Sequence, residues 1–252
     1  MKMANFLGRC GRLLSHLTVI SILAIPPGTF LTPAVAQQPS RESTPIKIGI
    51  IGSGNIGSAV GGLWVKAGHP VLFSSRHPEN LKQLTADLGS LARAGSVEEA
   101  LSFSDVIFIG VPYGAYPQIA KDYAKQFVGK IVLDAGNAVL ARDGEIGKQA
   151  RENGVALTSA KLLAGARIVR AFNILGSNRL VSLANQEPRI AIPIAGNDAE
   201  ALKTAAQLVR DAGFEPVEIG SLERSKLFEQ GGPLYGAVMS APQMLERLKT
   251  LR

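Results

Sequence analysis

The chain has 252 residues, nearly half of them apolar and few of them aromatic, which suits one large α/β domain and argues against disorder. Its formal charge is +7, but Lys2, Arg9 and Arg12 precede Ala36 with no acid among them, so the remainder carries about +4. That mild excess suits an anionic ligand, and the absence of any Lys/Arg run interleaved with aromatics argues against nucleic acid as a partner.

Residues 1–36 read as a secretory signal peptide: a basic start, a short apolar core from Leu17 to Ile25, a Pro26-Pro27-Gly28 break and an Ala34-Val35-Ala36 cleavage signal before Gln37. This predicts export to a periplasmic location with no stable membrane insertion after cleavage. The apolar run is short of the roughly 20 residues a spanning helix needs. The alternatives are an uncleaved membrane anchor and a cytoplasmic protein. Cys10 is the single cysteine and falls in this leader, so disulfides, thiolate metal sites and cysteine nucleophiles are excluded from the mature chain. With His69 and His77 the histidines beyond it, no metal site is expected. Residues 37–45 are polar and read as a tether.

Residues 46–221 read as a doubly wound, mostly parallel α/β sheet, a Rossmann-type NAD(P)-binding domain. Ile46 to Ile51 is a short apolar run without helical period, as in a central parallel strand. Ile56, Ala59, Val60, Leu63 and Ala67 then mark one face of a helix that Gly68 ends, and Val71 to Ser74 is a second strand. Ser96-Val97-Glu98-Glu99 is a capping box opening a helix. Strands are predicted within Asp105–Pro112, Lys130–Asn137, Ala166–Asn173 and Arg189–Gly196. Asn197-Asp198-Ala199-Glu200 reads as a second capping box, and Glu215 to Ile219 closes the series. Residues 222–252 contain a Gly231-Gly232-Pro233 turn and a terminal helix with Met239, Met244, Leu245 and Leu248. This extension is too short for a separate domain. It either folds back over the sheet edge or packs on a second subunit of a homodimer.

Between the first two strands, Gly52, Gly54 and Gly57 form G-x-G-x-x-G. Gly52 permits the tight turn, Gly54 lets backbone approach a pyrophosphate, and Gly57 lets helix and strand pack closely. The helix's first N–H groups then face the phosphates. Alone this pattern is weak, but here it follows a strand, opens an amphipathic helix and leads to a second strand. The end of that second strand selects the dinucleotide. An NAD enzyme places Asp or Glu there for the ribose 2′-hydroxyl. Here Ser74, Ser75, Arg76 and His77 supply hydroxyls and a guanidinium able to fork onto a 2′-phosphate, which predicts NADP(H). The competing reading makes Arg76 a solvated charge beside Glu79.

Gly110-Val111-Pro112-Tyr113 and Asp134-Ala135-Gly136-Asn137 end strands at the face where open α/β sheets bind ligands. Val111 and Pro112 are candidates to pack on the nicotinamide, and Asn137 to bond its ribose or carboxamide. Each is otherwise a loop residue serving its own turn, and Tyr113 and Tyr116 are equally suited to packing. No Y-x-x-x-K spacing, paired-carboxylate motif or metal cluster supplies acid/base machinery, and Lys161 and His77 qualify by residue type alone. No catalytic side chain is therefore assigned. Hydride transfer between two ring cofactors mainly requires that they be stacked at the right distance and angle.

IGIIGSGNIG, the SSR strand end, DVIFIGVPY, IVLDAGN and ARIVRAFNILG together resemble the NADPH:coenzyme F-420 (8-hydroxy-5-deazaflavin) oxidoreductase family over roughly Ile46 to Gln230. The fold is also similar to the cytosolic flavin-using reductase domain of eukaryotic transmembrane metalloreductases. The resemblance implies that Ser53, Gly54, Asn55 and Ile56 touch the pyrophosphate and that Ser75 and Arg76 hold the 2′-phosphate. It further implies that Val111 and Ala135 line the nicotinamide side, with hydride passing directly to a flavin or deazaflavin co-substrate. Ala135-Gly136-Asn137-Ala138 replaces the family's threonine-asparagine-proline turn. Two other functions stay open: reduction of a small imine or carbonyl, and an exported dinucleotide-binding module without turnover.

Overall fold

The structure is a computed structural model that describes residues 44–251. The proposed leader and most of the tether lie outside the described residues. The first βαβ unit is β1 (Ile48–Ile51), α1 (Asn55–Lys66) and β2 (Val71–Ser74). There follow α2 (Lys82–Leu88), β3 (Ala92–Gly95), α3 (Val97–Phe103), β4 (Val106–Ile109), α4 (Tyr116–Phe127) and β5 (Ile131–Asp134). Next come α5 (Leu140–Asn153), α6 (Val155–Leu162), β6 (Arg167–Arg170), α7 (Ser177–Leu183) and β7 (Ala191–Gly196). Last are α8 (Ala199–Asp211), β8 (Glu215–Gly220) and α9 (Ala241–Lys249).

The strands form one sheet in the order β3-β2-β1-β4-β5-β6-β7-β8. The order reverses between β1 and β4, which puts the C-terminal ends of those strands at the switch point where such sheets bind ligands. Every residue of β1, β2 and β4 is buried, because helices cover both faces of the sheet. α1 is held against it from two sides. A Cβ at Gly61 would overlap Ile50 Cδ1, so glycine there lets the helix lie flat on β1. At the other end Trp64 Nε1 donates to Leu208 O of α8 at 2.8 Å. The Trp64 ring meets Phe108 and Phe172 edge-on, at 5.4 and 5.7 Å between centroids.

Three features differ from the sequence reading. β3 was not anticipated: Ala92-Arg93-Ala94-Gly95 is short, small-residued and exposed at its two central positions, so it carries no strand signal. β7 runs antiparallel to β6, pairing with it through Ala195 and Gly196 alone, and is parallel to β8. The cap of α8 is Asp198, whose carboxylate accepts from Ala201 N at 2.8 Å, rather than a reciprocal box built on Asn197. Asn197 Oδ1 accepts from Leu222 N instead. The Ser96–Glu99 capping box of α3 is present in both directions.

The C-terminal stretch folds back over its own sheet. Ala191 N of β7 donates to Met239 O, and Met244 of α9 is fully buried in the main core. Met239 precedes the helix, whose Leu245 is exposed. Between β8 and α9 the Glu229 carboxylate accepts from Val155 N and Ala156 N at 3.0 and 3.1 Å, capping the start of α6.

Candidate functional site

A cleft of about 750 Å³ opens at the C-terminal ends of β1, β2 and β4. It brings together Gly52, Ser53, Gly54, Ser74, Ser75, Arg76, Val111 and Pro112, with Val97 of α3 and one side of α4 as the far wall. The volume lies within the range of small-molecule and cofactor sites.

The glycine turn is built as its sequence requires. Gly52 has φ +96°, where a side chain is strained, and a Cβ there would overlap Val111 Cγ1. A Cβ at Gly57 would overlap the Gly52 carbonyl oxygen, so this glycine allows α1 to start directly on the turn. Gly54 differs from both: a Cβ there would meet nothing within 4 Å, so the turn offers open space at that point. Gly54 is the N-cap of α1, no side chain caps the helix, and no acid sits in its first turn. Ser53 Oγ is buried with no hydrogen-bond partner among the described residues. Unclaimed helix-terminal N–H groups, room above Gly54 and an orphaned hydroxyl fit an anionic diphosphate group.

The end of β2 divides its work. Ser74 is fully buried, and its hydroxyl donates to Ile50 O at 2.7 Å while its carbonyl accepts from Ser53 N. The expected donation from Ser74 to a 2′-phosphate is therefore corrected: that hydrogen is spent joining β1 to β2. Ser75 Oγ accepts from His77 N at 3.1 Å and keeps its own proton to donate. Arg76 is exposed in the cleft and makes no ion pair among the described residues. Glu79, its suggested partner, is taken by His77 at 3.2 Å; a backbone hydrogen bond first, and then this contact, lower the Glu79 carboxyl pKa.

Val111 is half-buried and Pro112 exposed on the β4 side of the cleft. Asn55 lies in a neighbouring hollow with Ser58 and Asn178, and Ile56 packs partly against the core. Ala135 and Asn137 do not line the cleft. Ala135 is buried with its N–H on Ile109 O. Asn137 is half-buried and its amide is engaged, Nδ2 donating to Asn173 O at 2.8 Å and Oδ1 accepting from Arg170 at 3.1 Å. Its expected bond to the ribose or carboxamide gives way to a bridge between the loops after β5 and β6. Lys161, on α6, lies outside the cleft.

Behind the Asn137 loop sits a buried polar cluster that sequence reasoning passed over. Asp134 and Arg170, both fully buried, end the adjacent strands β5 and β6 in register and pair at 3.1 Å. Tyr116 OH donates to Asp134 Oδ1 at 2.6 Å, and its ring stacks on Tyr113 with 4.4 Å between centroids. Burial first, then the Asp134 carboxylate, raises the pKa of both phenols. A charged residue closing each of two apolar strand runs was the signal available.

Asp143 is a second omission. Its carboxylate accepts from Gly114 N at 3.0 Å and Val139 N at 2.7 Å, tying the loop after β4 to the loop after β5, and Arg142 forks onto it. Burial alone would raise the Asp143 carboxyl pKa. The Arg142 fork and the two N–H donors outweigh it and hold the carboxyl below its usual value.

The family model described as "NADP oxidoreductase coenzyme F420-dependent" matches residues 47–138. The chain is 31% identical over 183 residues to the metalloreductase STEAP3 of Rattus norvegicus, covering 73% of this chain and 36% of that protein. It thus spans about a third of the length of the metalloreductases it matches. It is 24% identical over 205 residues to the F420-dependent NADP reductase of Methanocaldococcus jannaschii, covering 75% of this chain and 90% of that one. Among solved structures, a hypothetical protein of Sinorhizobium meliloti aligns with a TM-score of 0.68 at 29% identity, over 79% of this chain and 97% of that one.

Proposed function

We propose that this chain, which is similar to the NADP-dependent oxidoreductases of the F420-dependent family, passes hydride between NADP(H) and a flavin- or deazaflavin-like acceptor. The observation that carries this reading is the chemistry of the cleft. Among the described residues, the Val111–Pro112 end is apolar and holds no acid or base. Asp134, Arg170, Tyr113 and Tyr116 lie buried behind it and are engaged with one another, with the phenols kept protonated by burial. Reduction of an imine or carbonyl calls for a proton donor in reach of the new bond; transfer between two rings calls chiefly for orientation.

Each residue then has a positioning task. The first N–H groups of α1, from Asn55 to Gly57, and the space above Gly54 would hold the diphosphate. Ser75 and Arg76 would hold the 2′-phosphate, the guanidinium by a forked pair of hydrogen bonds. Val111 and Pro112 would form the wall against the nicotinamide, which supplies or accepts the hydride when the dinucleotide is bound. Asp143 ties the loop that carries this wall to the loop after β5, and the Asp134–Arg170 pair joins the ends of β5 and β6 beneath it.

The test mixes purified protein and NADPH with FMN, FAD, an 8-hydroxy-5-deazaflavin, a ferric chelate and a cyclic imine in turn, following absorbance at 340 nm. Oxidation is expected with the flavins or the deazaflavin. Oxidation by the imine alone, or NADPH binding without turnover with any acceptor, would overturn the proposal.

A further inference from the structure

We propose that Asp122 of α4 recognises the adenine 6-amino group, giving this cleft a base-specific subsite; the inference rests on the reading that the cleft binds NADP(H). Its starting point is a mismatch of charge. A cleft suited to three phosphates is lined by Arg76 and the bare N-terminus of α1, yet it also holds the carboxylate of Asp122. That carboxylate makes no ion pair among the described residues, and its one hydrogen bond there is to Gln118. An ionised carboxylate accepts hydrogen bonds and donates none, so the ligand group it can match in this cleft is a donor.

Position identifies the donor. Asp122 follows Ala115, at the head of α4, by seven residues, which is about 10 Å along the helix axis at about 1.5 Å per residue. It therefore lies away from the glycine turn and the strand-end loop, where the phosphates and the nicotinamide belong. Around it the lining changes character: Val97, Ile119 and Tyr123 are half-buried and pack against the second core cluster, presenting apolar surface to the cleft. The helix departs from regular geometry at Tyr123, with φ −125° and ψ 18°, directly after Asp122. An apolar stretch of lining with a carboxylate beside it, in the cleft that Arg76 also lines, suits a flat base attached to a phosphorylated ribose.

Adenine bears ring acceptors and a single exocyclic donor group, the 6-amino. The carboxylate is also held for the task. Gln118 Nε2 donates to Asp122 Oδ1 at 2.7 Å, which orients the group and leaves Oδ2 free to accept. Hypoxanthine replaces the amino group with a carbonyl oxygen and so sets an acceptor against this oxygen.

The experiment measures dissociation constants of NADPH and of reduced nicotinamide hypoxanthine dinucleotide phosphate for the wild type, Asp122→Ala and Asp122→Asn. The wild type is expected to prefer NADPH by about tenfold, the lower end for a hydrogen bond to a charged group, because Asp122 is exposed. Asp122→Ala should bring the two constants within about twofold. Asp122→Asn, whose amide can donate to the carbonyl, should favour the hypoxanthine analogue relative to Asp122→Ala. Equal wild-type affinity for the two dinucleotides, or a preference that survives in Asp122→Ala, overturns the assignment. Failure of the wild type to bind NADPH at all would instead overturn the dinucleotide reading on which it rests.

Discussion

Replacing Gly54 with alanine separates ligand binding from folding. The backbone there has φ −77° and ψ −160°, an extended conformation open to any residue, and the new Cβ meets no atom within 4 Å. The folding cost is that of exchanging glycine for alanine at an N-cap, about 0.5–1 kcal/mol. For a domain of this size that lowers Tm by about 1–4 °C. The methyl group, however, fills the space above the turn that a diphosphate would use, and holds its oxygens off the first N–H groups of α1. Losing one charge-assisted hydrogen bond costs about 1.5–3 kcal/mol, which is about 10- to 150-fold in Kd. Gly57→Ala provides the contrast. Its Cβ would overlap the Gly52 carbonyl oxygen, backbone against backbone, so turn and helix must part at a cost of about 1–3 kcal/mol. There Tm and affinity should fall together. Differential scanning fluorimetry paired with NADPH fluorescence titration reads both quantities. A Gly54→Ala protein that binds NADPH with the wild-type constant would refute this account of the turn.

Arg76→Ala should weaken NADPH binding about tenfold or more and leave NADH binding nearly unchanged, because the guanidinium makes no ion pair among the described residues; parallel titrations with the two dinucleotides check it. Asp143→Asn should alter the acid limb of the stability curve. The folded-state carboxyl pKa lies below the unfolded value of about 3.9, so the ionised group contributes stability above that pH and loses it as pH falls through the folded pKa. The variant should therefore be less stable at neutral pH, with the gap to wild type closing below about pH 4 in a series of thermal melts. If residues 1–36 are the proposed leader, sequencing of protein isolated from its native cell should give a chain that starts at Gln37.

The part of the site that was legible in sequence is the part carried by local chemistry. The glycine spacing, the apolar period of α1 and the missing acid after β2 lie within one continuous βαβ stretch, where neighbours in sequence are neighbours in function. Ser74 shows the limit of that reading. Its type suited a phosphate donor, but the direction of its hydroxyl depends on the carbonyl of Ile50 across the sheet. Asn137 failed for the same reason, since its partners Arg170 and Asn173 lie one strand away. The reversal at β7 was hidden because Ala191-Ile192-Pro193-Ile194-Ala195 is as apolar as a parallel strand, and apolarity carries no direction. Pro193 held a hint: it sits where β7 pairs with β8 but not with β6, a place that tolerates a missing N–H. Asp122 escaped notice because its meaning comes from the cleft that α3, α4 and β2 enclose together.

The Glu229 cap on α6 bears on modularity. Cutting the chain after Gly220 would bare the N–H groups of Val155 and Ala156, and would strip Asn173 Nδ2 of its acceptor, Phe228 O. It would also remove Phe228, Leu234 and Met244, each fully buried in the main core; at about 1.5–3 kcal/mol per buried side chain, these losses approach the whole stability of an ordinary domain, about 5–15 kcal/mol. The Rossmann-type sheet is therefore not a cassette that can be lifted out at its last strand. Recombination or proteolysis that trims the tail would remove the dinucleotide cleft along with it, although the two share no residue. A fusion joined beyond Lys249 leaves these bonds untouched, which makes the far end of α9 the natural seam for a further domain.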